Sequence, residues 1–207
     1  MADESTDASG ATADDPIRET VSAYESNPEE YDYLTDTVVA EIVGERFRDH
    51  LDGPRVLDAG CGPGVDLAAF EAAGLNPVGF DRATPFLQDA ADRTDAAAVV
   101  TADLRAFPFH DDSFDGVWCC AALLHLPRTA ASGVLTEAAR VLRSGGALFV
   151  SVQRGTGRER RTDEHGNERL FTKFESAELR DLLQSAGFSV EHDLGDDEWV
   201  TVVATLD

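Results

Sequence analysis

The sequence predicts an α/β fold in which a mostly parallel sheet is covered by helices. From Pro54 onward, short apolar segments alternate with helical segments, as the connections between parallel strands require. Near the C-terminus, two strand-like segments at 188–192 and 199–205 flank a Gly-Asp-Asp turn and predict an antiparallel hairpin. The 207 residues suit one domain on the usual scale of about 150 residues. Binding and chemistry must therefore share one core.

The N-terminal region divides into a tail and a helical part. Residues 1–14 are rich in Ala, Ser, Thr, Asp and Glu without apolar periodicity, which predicts a disordered acidic tail. Asp15 and Pro16 then form a helix-start signal, an N-cap acceptor followed by proline in the first turn. Helical patterning continues to about Leu51, so we expect two helices there.

The remaining elements follow from apolar runs and helical spacing. Strands are predicted at 55–59, 77–80, 97–101, 114–119 and 147–153, and helices at 65–73, 136–143 and 175–186. Residues 154–170 are polar and rich in arginine, which predicts a long loop after the fifth strand.

The charge balance is strongly acidic. Forty Asp and Glu face 17 Lys and Arg, of which only Lys173 is a lysine, and the formal net charge is -23. Such a surface is typical of halophilic proteins, because molar salt shortens the Debye length to about 3 Å and screens the self-repulsion. We expect folding to require salt. The charge also opposes binding to phosphate backbones, so nucleic acid is a secondary hypothesis.

The cysteines and hydropathy indicate an intracellular setting. Cys61, Cys119 and Cys120 lack the paired spacing of a zinc site and the even count of a disulfide framework, so reduced, buried thiols and no metal are expected. No apolar run approaches the ~18 residues of a membrane span, and the N-terminus has no apolar signal segment. We therefore expect a cytoplasmic protein.

A strand that ends in closely spaced glycines is the most informative motif. The segment 56–64 places Gly60, Gly62 and Gly64 where the chain reverses, so that backbone N–H groups approach a ligand. Asp81 ends the next strand, 21 residues after Gly60, and is placed to bind a ribose diol. Val65 stands where a dinucleotide fingerprint has its third small residue, which disfavours a nicotinamide site.

This glycine loop resembles the first motif of class I S-adenosylmethionine-dependent methyltransferases of type 11. Further segments match that family in order: Asp81, 102–104, 111–118 and the turn at 142–146. The resemblance covers about residues 16–207. It implies a Rossmann-like, doubly wound sheet of seven strands with an antiparallel C-terminal hairpin strand and helices on both faces. It also implies S-adenosylmethionine as the cofactor.

The resemblance assigns parts of the chain to the two ligands. We expect an N-terminal helical lid at 15–51, a cofactor-binding core at 54–153, the arginine-rich loop at 154–170 and a C-terminal helix and hairpin at 171–207. In similar proteins the glycine loop lies at the methionine moiety, the second-strand acid binds the ribose, and the acid after the third strand receives the adenine amine. The cofactor-binding residues so implied are Asp58, Gly60, Cys61, Gly62, Gly64, Asp81, Arg82, Ala102, Asp103, Leu104 and Cys119.

Three side chains are candidates for the catalytic end. Tyr24 and Tyr31 resemble tyrosines of N-terminal helices that cover the cofactor, and the alternative is that they pack on the sheet. His125 follows the fourth strand at the expected rim of the site. It is a candidate general base, because imidazole titrates near neutral pH. The alternative is a histidine that hydrogen-bonds backbone.

The arginine-rich loop has two interpretations. Its arginines suit an anionic acceptor or an RNA, or they pair with acidic neighbours in a mobile surface loop. The arginines concerned are Arg154, Arg158, Arg160, Arg161 and Arg169.

The function predicted from the sequence is methyl transfer to a small-molecule acceptor by direct in-line displacement. The (D/N)PP(F/Y) signature of nucleic-acid amino methylation is absent, as is a catalytic cysteine motif. Two alternatives stay open: a tRNA or RNA methyltransferase that uses the arginine-rich loop, and a non-catalytic S-adenosylmethionine-binding domain that regulates or activates a partner. A nicotinamide oxidoreductase is a distant third.

Overall fold

The structure is a computed structural model, and it describes residues 16–28, 38–95 and 97–207. The predicted tail, Asp15 and Tyr31 lie outside these ranges. The helices are α1 (Pro16–Ser26), α2 (Val39–Ile42), α3 (Gly44–Arg48), α4 (Val65–Ala72), α5 (Thr84–Arg93), α6 (Ala131–Val141) and α7 (Ser176–Ser185). The strands are β1 (Arg55–Ala59), β2 (Asn76–Asp81), β3 (Ala98–Thr101), β4 (Phe114–Cys120), β5 (Leu142–Gln153), β6 (Arg158–Thr162), β7 (Glu168–Thr172), β8 (Phe188–Asp193) and β9 (Trp199–Leu206).

Seven strands form one sheet in the order β3-β2-β1-β4-β5-β9-β8. The first five strands along the chain pair in parallel, and β9 pairs antiparallel with both β5 and β8. This confirms the predicted fold class. The order reverses between β1 and β4, and in open α/β sheets the crevice beyond the carboxyl ends of such strands is the usual ligand site.

Alternation along the central strands builds a core on each face of the sheet. Val117 and Leu148 belong to the larger apolar cluster, which also holds Leu135 of α6. Their neighbours Trp118 and Phe149 belong to the opposite cluster. Because successive strand residues point to opposite faces, helices are required on both sides of this sheet.

A buried carboxylate ties the N-terminal helices to the second face. Trp118 stacks on Phe149 with ring centroids 3.5 Å apart. Its Nε1 donates to Asp66 of α4 over 2.9 Å, and the backbone N–H of Ala40 in α2 donates to the other carboxylate oxygen over 2.9 Å. Asp66 therefore helps to hold α2 against the sheet through one hydrogen bond on each carboxylate oxygen.

Residues 154–170 differ from the predicted loop, because 158–162 and 168–170 belong to a two-stranded antiparallel sheet of β6 and β7. The turn is closed by Asp163, whose carboxylate accepts the N–H groups of His165 and Asn167. In β6, charged residues stand at successive positions, so the apolar alternation that marks a strand in sequence is absent there. This segment is called the arginine hairpin below (residues 158–172).

The arginine hairpin packs against α1 and the loop after β4. The N–H of Leu170 donates to Thr20 Oγ1 over 2.9 Å, and Thr172 Oγ1 donates to the carbonyl of Leu126 over 2.7 Å. Thr20 and Thr172 are both buried. Within the described ranges, no helix has the length and apolar character needed to cross a membrane.

Candidate functional site

The glycine turn after β1 brings backbone to the edge of a cavity. Gly60, Gly62 and Gly64 all have positive φ, at 81°, 52° and 81°. A Cβ on Gly60 would lie 2.4 Å from the Cβ of Ala122, and one on Gly64 would lie 2.7 Å from the Cβ of Ala90. A Cβ on Gly62 would meet nothing within 4 Å. Two glycines therefore allow close packing, and Gly62 leaves space beside the cavity.

Asp81 connects the end of β2 to that turn. Its Oδ2 accepts the N–H of Gly62 over 3.0 Å, and its Oδ1 accepts the N–H of Ala83 over 2.8 Å. Burial raises the pKa of Asp81, and these backbone hydrogen bonds counter part of the rise. Each carboxylate oxygen has a second acceptor site, which leaves capacity for a diol.

Asp58, at the end of β1, is a buried carboxylate at the cavity wall. No hydrogen bond joins its side chain to a described residue, whereas Asp66 nearby accepts two. Burial raises the pKa of Asp58 well above its ordinary value, and the charges of Asp66 and Asp81 add to the rise. A buried ionised carboxylate needs a cationic or donating partner, so this position suits a ligand ammonium group.

Asp103 lies among arginines on the same wall. Its carboxylate pairs with Arg82 over 3.1 Å and with Arg105 over 2.7 Å. Partial burial works to raise the pKa of Asp103, but the hydrogen bonds and charge of Arg105, together with Arg82, outweigh it, so that the pKa is lowered. Asp103 is therefore an ionised acceptor at this edge of the cavity.

The cavity has a volume of about 680 Å³, within the ~300–1,000 Å³ usual for ligand sites. Nine of the eleven predicted cofactor-binding residues line it. Gly64 and Cys119 do not: Gly64 packs against Ala90, and Cys119 lies in the core, where burial raises its pKa to about 12. Cys120, one residue further along β4, lines the cavity instead. The residues on the wall are Asp58, Gly60, Cys61, Gly62, Asp81, Arg82, Ala102, Asp103 and Leu104.

Tyr24 and His125 meet on the opposite side of the cavity. His125 ends a 3₁₀ turn after β4, and its Nδ1 lies 2.8 Å from the carbonyl oxygen of Leu170. A carbonyl only accepts, so Nδ1 carries the hydrogen and Nε2 accepts from the Tyr24 hydroxyl over 2.9 Å. The backbone bond expected as one alternative for His125 is present.

The surroundings of His125 keep its ring neutral. Burial lowers the pKa of His125 to about 4, the Leu170 carbonyl opposes this effect, and the charges of Arg169 and Arg161 add to the lowering. Since the imidazolium form is disfavoured, the neutral tautomer can hold the Tyr24 hydroxyl at any pH near neutrality.

Of the five arginines noted in sequence, Arg161 and Arg169 line the cavity. Arg154 instead ties strand ends together through the hydroxyl of Ser176 and two backbone carbonyls. Arg160 pairs with Glu19 and Glu168. Strand alternation determines which arginines of the hairpin face the cavity. The sequence predicted a loop in this segment, so it could not identify them.

Other residues that line the cavity were not marked by any motif in the sequence. They are contributed by α1, by the segment after β2, by the ends of β5 and β9, and by β7. They include Ile17, Val21, Phe86, Gln153, Phe171, Trp199 and Thr201. Phe171 is the one that alternation could have identified, because it stands two positions after Arg169 on one strand.

A family model and two curated relatives that match this chain are described as methyltransferases. Residues 57–150 match the family model described as "Methyltransferase domain". Methyltransferase GfsG of Streptomyces halstedii is 34% identical over 145 residues, which are 64% of this chain and 51% of the relative. A malonyl-[acyl-carrier protein] O-methyltransferase of Salmonella typhimurium is 30% identical over 136 residues, 65% of this chain and 51% of the relative. The chain thus spans about half the length of these curated relatives.

Solved structures agree on the fold. The crystal structure of Burkholderia thailandensis 1,6-didemethyltoxoflavin-N1-methyltransferase, which contains S-adenosylhomocysteine, superimposes with a TM-score of 0.73. The two proteins are 23% identical, and the match covers 95% of this chain and 93% of that one. Residues 57–150 thus carry a methyltransferase domain, and the whole sheet has the fold of a solved methyltransferase that binds S-adenosylhomocysteine.

Proposed function

We propose that this chain transfers a methyl group from S-adenosylmethionine to a small-molecule acceptor by direct in-line displacement. The observation that carries the proposal is a single cavity with two different walls. One wall holds the glycine turn with Asp58, Asp81 and Asp103, and the other holds Tyr24, His125 and the arginine hairpin. A cofactor and a second, smaller molecule can therefore share one cavity.

The residues of the first wall fit the cofactor. Asp58 is a buried carboxylate without a hydrogen bond from a described residue, and it suits the α-ammonium group of the methionine moiety. Asp81 keeps acceptor capacity for the ribose hydroxyls, and Gly62 leaves the space that a close ligand needs. Asp103 and Leu104 are assigned to the adenine edge. The bound cofactor supplies an activated methyl group, so the protein's own contribution is orientation, proximity and exclusion of water.

The second wall favours an enzyme over a binding or regulatory domain. A domain that only binds S-adenosylmethionine needs no further space beside the glycine turn. Here the cavity continues to Tyr24, His125 and two arginines. We assign Tyr24 and His125 to the acceptor end, with His125 fixing the Tyr24 hydroxyl through its neutral Nε2. Tyr31 keeps its predicted place in the lid as a proposal.

The charge distribution favours a small acceptor over RNA. The chain has a net charge of -23, and Arg160 and Arg161 of the arginine hairpin pair with nearby glutamates. Because RNA binding requires a basic surface that releases counterions, this acidic chain is poorly suited to a polyanion.

Calorimetric titration in molar KCl tests the proposed cofactor and activity. Wild type is titrated with S-adenosylmethionine, S-adenosylhomocysteine and NAD, and compared with Asp81→Ala. The control is Asp89→Ala, which removes an exposed carboxylate on α5. We expect micromolar binding of the first two ligands, lost in Asp81→Ala and kept in Asp89→Ala. Preference for NAD, or no binding by wild type, would contradict the proposal.

A further inference from the structure

Polar side chains of two neighbouring strands form one part of the cavity lining. Phe149 of β5 and Val203 of β9 belong to the apolar cluster on the second face of the sheet. The next residues on that face, Ser151 and Thr201, are cross-strand partners, and Gln153 follows Ser151 at the carboxyl end of β5. All three polar residues line the cavity. Polar groups thus replace apolar ones where these strands reach the site, and the three residues are called the polar floor below.

The two hydroxyl groups of the polar floor leave one donor for a ligand. Ser151 Oγ and Thr201 Oγ1 lie 3.1 Å apart, and either can donate to the other. Both side chains are buried. Whichever hydroxyl donates, the second keeps its own hydrogen, which has no acceptor among the described residues. An oxygen atom of a ligand would be a suitable partner for it.

Gln153 presents a second neutral donor, because Arg161 sets the orientation of its amide. Nη2 of Arg161 donates to Oε1 of Gln153 over 3.0 Å. A guanidinium group only donates, so Oε1 must face Arg161 and the NH₂ group must face away from it. Within the part of the chain that the structure describes, Nε2 of Gln153 has no hydrogen-bond acceptor. Its two N–H groups therefore remain available to a ligand in the cavity.

Several contacts hold Arg161 in the position that orients this amide. Glu159 accepts from Nε and Nη2 of Arg161, and Lys173 pairs with the same glutamate over 3.0 Å. The Cζ of Arg161 lies 4.1 Å from the centroid of the Phe171 ring. Arg161 is therefore a positioning residue, and the Gln153 amide is preorganised before a ligand enters.

The chemistry of this end of the cavity favours an uncharged ligand oxygen over a carboxylate. Both donors of the polar floor are neutral, whereas a carboxylate that leaves water is stabilised mainly by charged donors. Asp196 also lines the cavity. The backbone N–H groups of Glu198 and Trp199 hold the pKa of Asp196 below its ordinary value, and the charge of Arg154 adds to the lowering. Asp196 is thus ionised near neutral pH and repels an anion.

We infer that Gln153 determines acceptor specificity by donating to a carbonyl oxygen of an uncharged methyl acceptor, while the Ser151–Thr201 pair binds a second polar group of the same molecule. Ser151 and Gln153 stand two positions apart, about 6.6 Å along the strand, so one small molecule can contact both. Strand β4 separates β5 from β1, which carries the glycine turn, so the polar floor lies beyond the cofactor residues. The acceptor's role rests on the proposed function, whereas carbonyl binding beside Gln153 is testable without any reaction.

The test uses protein saturated with S-adenosylhomocysteine, titrated calorimetrically with two series of small molecules. One series is 4-hydroxyacetophenone, 4-ethylphenol and 4-hydroxybenzoate, and the other is 3-acetylindole, 3-ethylindole and indole-3-carboxylate. Within each series, the ketone is compared with an analogue that lacks the carbonyl oxygen and with one that carries a carboxylate. We expect at least one ketone to bind more tightly than both of its analogues.

Gln153→Glu separates donation by the amide from its structural role. Glutamate keeps an oxygen for Arg161 but has no N–H group, so the contact with the arginine hairpin is retained while the donor is lost. Ketone binding should weaken by about fivefold to a hundredfold, the range for losing a hydrogen bond and leaving its partner unpaired. The affinity for S-adenosylhomocysteine should stay unchanged. Gln184→Glu is the matched control, because Gln184 is exposed on α7, lies outside the cavity lining and undergoes the same change in charge.

The two tryptophans of the chain report where the ketone binds. Trp199 is the cross-strand partner of Gln153 and lines the cavity. Trp118 is fully buried and stacks on Phe149. In ¹⁵N-labelled protein, the ketone should shift the indole N–H resonance of Trp199, assigned with Trp199→Phe, more than that of Trp118.

Three results would overturn the inference. The first is a panel in which no ketone binds more tightly than both its ethyl and its carboxylate analogue. The second is equal ketone binding by Gln153→Glu and Gln184→Glu. The third is a larger shift of the Trp118 resonance than of the Trp199 resonance. Failure of the proposed function looks different, because S-adenosylhomocysteine would then fail to bind before any ketone is added.

Discussion

Substituting Gly62 by alanine separates the ligand-binding role of the glycine turn from its folding role. Gly62 has φ of 52°, and a Cβ there would meet nothing within 4 Å. The cost to folding is therefore the left-handed backbone of an alanine, about 1–2 kcal/mol. For a chain of this length, each kcal/mol lowers the melting temperature by about 2–4 °C. We expect a fall of about 2–8 °C, with the fold retained.

The expected effect on binding is larger than this strain alone accounts for. The new methyl would stand on the cavity wall, next to the N–H that Gly62 donates to Asp81. A cofactor held away from the turn loses hydrogen bonds to a charged group, each worth about 1.5–3 kcal/mol. Loss of one corresponds to roughly tenfold to a hundredfold weaker binding.

Gly74→Ala provides the matched control. Gly74 has φ of 81°, a Cβ there would also meet nothing within 4 Å, and it lies outside the cavity lining. Both variants carry a similar backbone strain, and thermal melts should show similar losses. Titration with S-adenosylmethionine should show weakened binding only in Gly62→Ala. Equal affinities in the two variants would refute the assignment of this turn to the cofactor.

Three further predictions follow from charge and burial. Folding should depend on salt, because 40 acidic residues face 17 basic ones and repel one another. The melting temperature should be higher in molar KCl than at low salt. A melting temperature unchanged by salt would contradict this dependence. Binding of cationic S-adenosylmethionine should lower the raised pKa of Asp58 and release a proton between the free and bound pKa values, so that affinity rises with pH there. Calorimetry in buffers of different ionisation enthalpy should detect this release in wild type and find none in Asp58→Asn. Cys119, whose pKa is raised to about 12 by burial, should resist iodoacetamide at neutral pH until urea unfolds the protein, and rapid labelling of the folded protein would contradict its placement.

The fold was predictable wherever local pattern and tertiary structure agree. The five parallel strands are apolar runs in the sequence, although β3 is mostly exposed in the structure, and the C-terminal hairpin has an evident turn. Each strand was therefore located to within a few residues except at β5. There the helix ends at Val141, and Leu142 already pairs with Phe114 ahead of a register shift. The glycines at 145–146 mark that irregular start of the strand, where the sequence predicted a helix to 143 followed by a turn.

The arginine hairpin shows why the prediction failed where it did. Its strands are held by backbone pairing and by packing of β7 against α1, which a single sequence does not display. In β6 one face carries Glu159 and Arg161 in place of apolar residues, and Arg161 lines the cavity. A charged strand without apolar alternation is indistinguishable from a polar loop when only periodicity is considered.

The two walls of the cavity differ in how their residues are distributed along the chain. The cofactor wall comes from positions 58–104, within the region 57–150 that matches the family model. Apart from His125, the acceptor wall joins residues from both sides of that region: Tyr24 and Arg169 are 145 positions apart and meet through α1 and the arginine hairpin. Relatives can therefore share the cofactor wall without sharing the acceptor wall. A match over residues 57–150 thus does not identify the methyl acceptor of this chain. The same separation implies that substitutions at Arg161 or Arg169 change acceptor binding while S-adenosylmethionine binding is retained, and that substitutions at Gly62 or Asp81 act first on the cofactor.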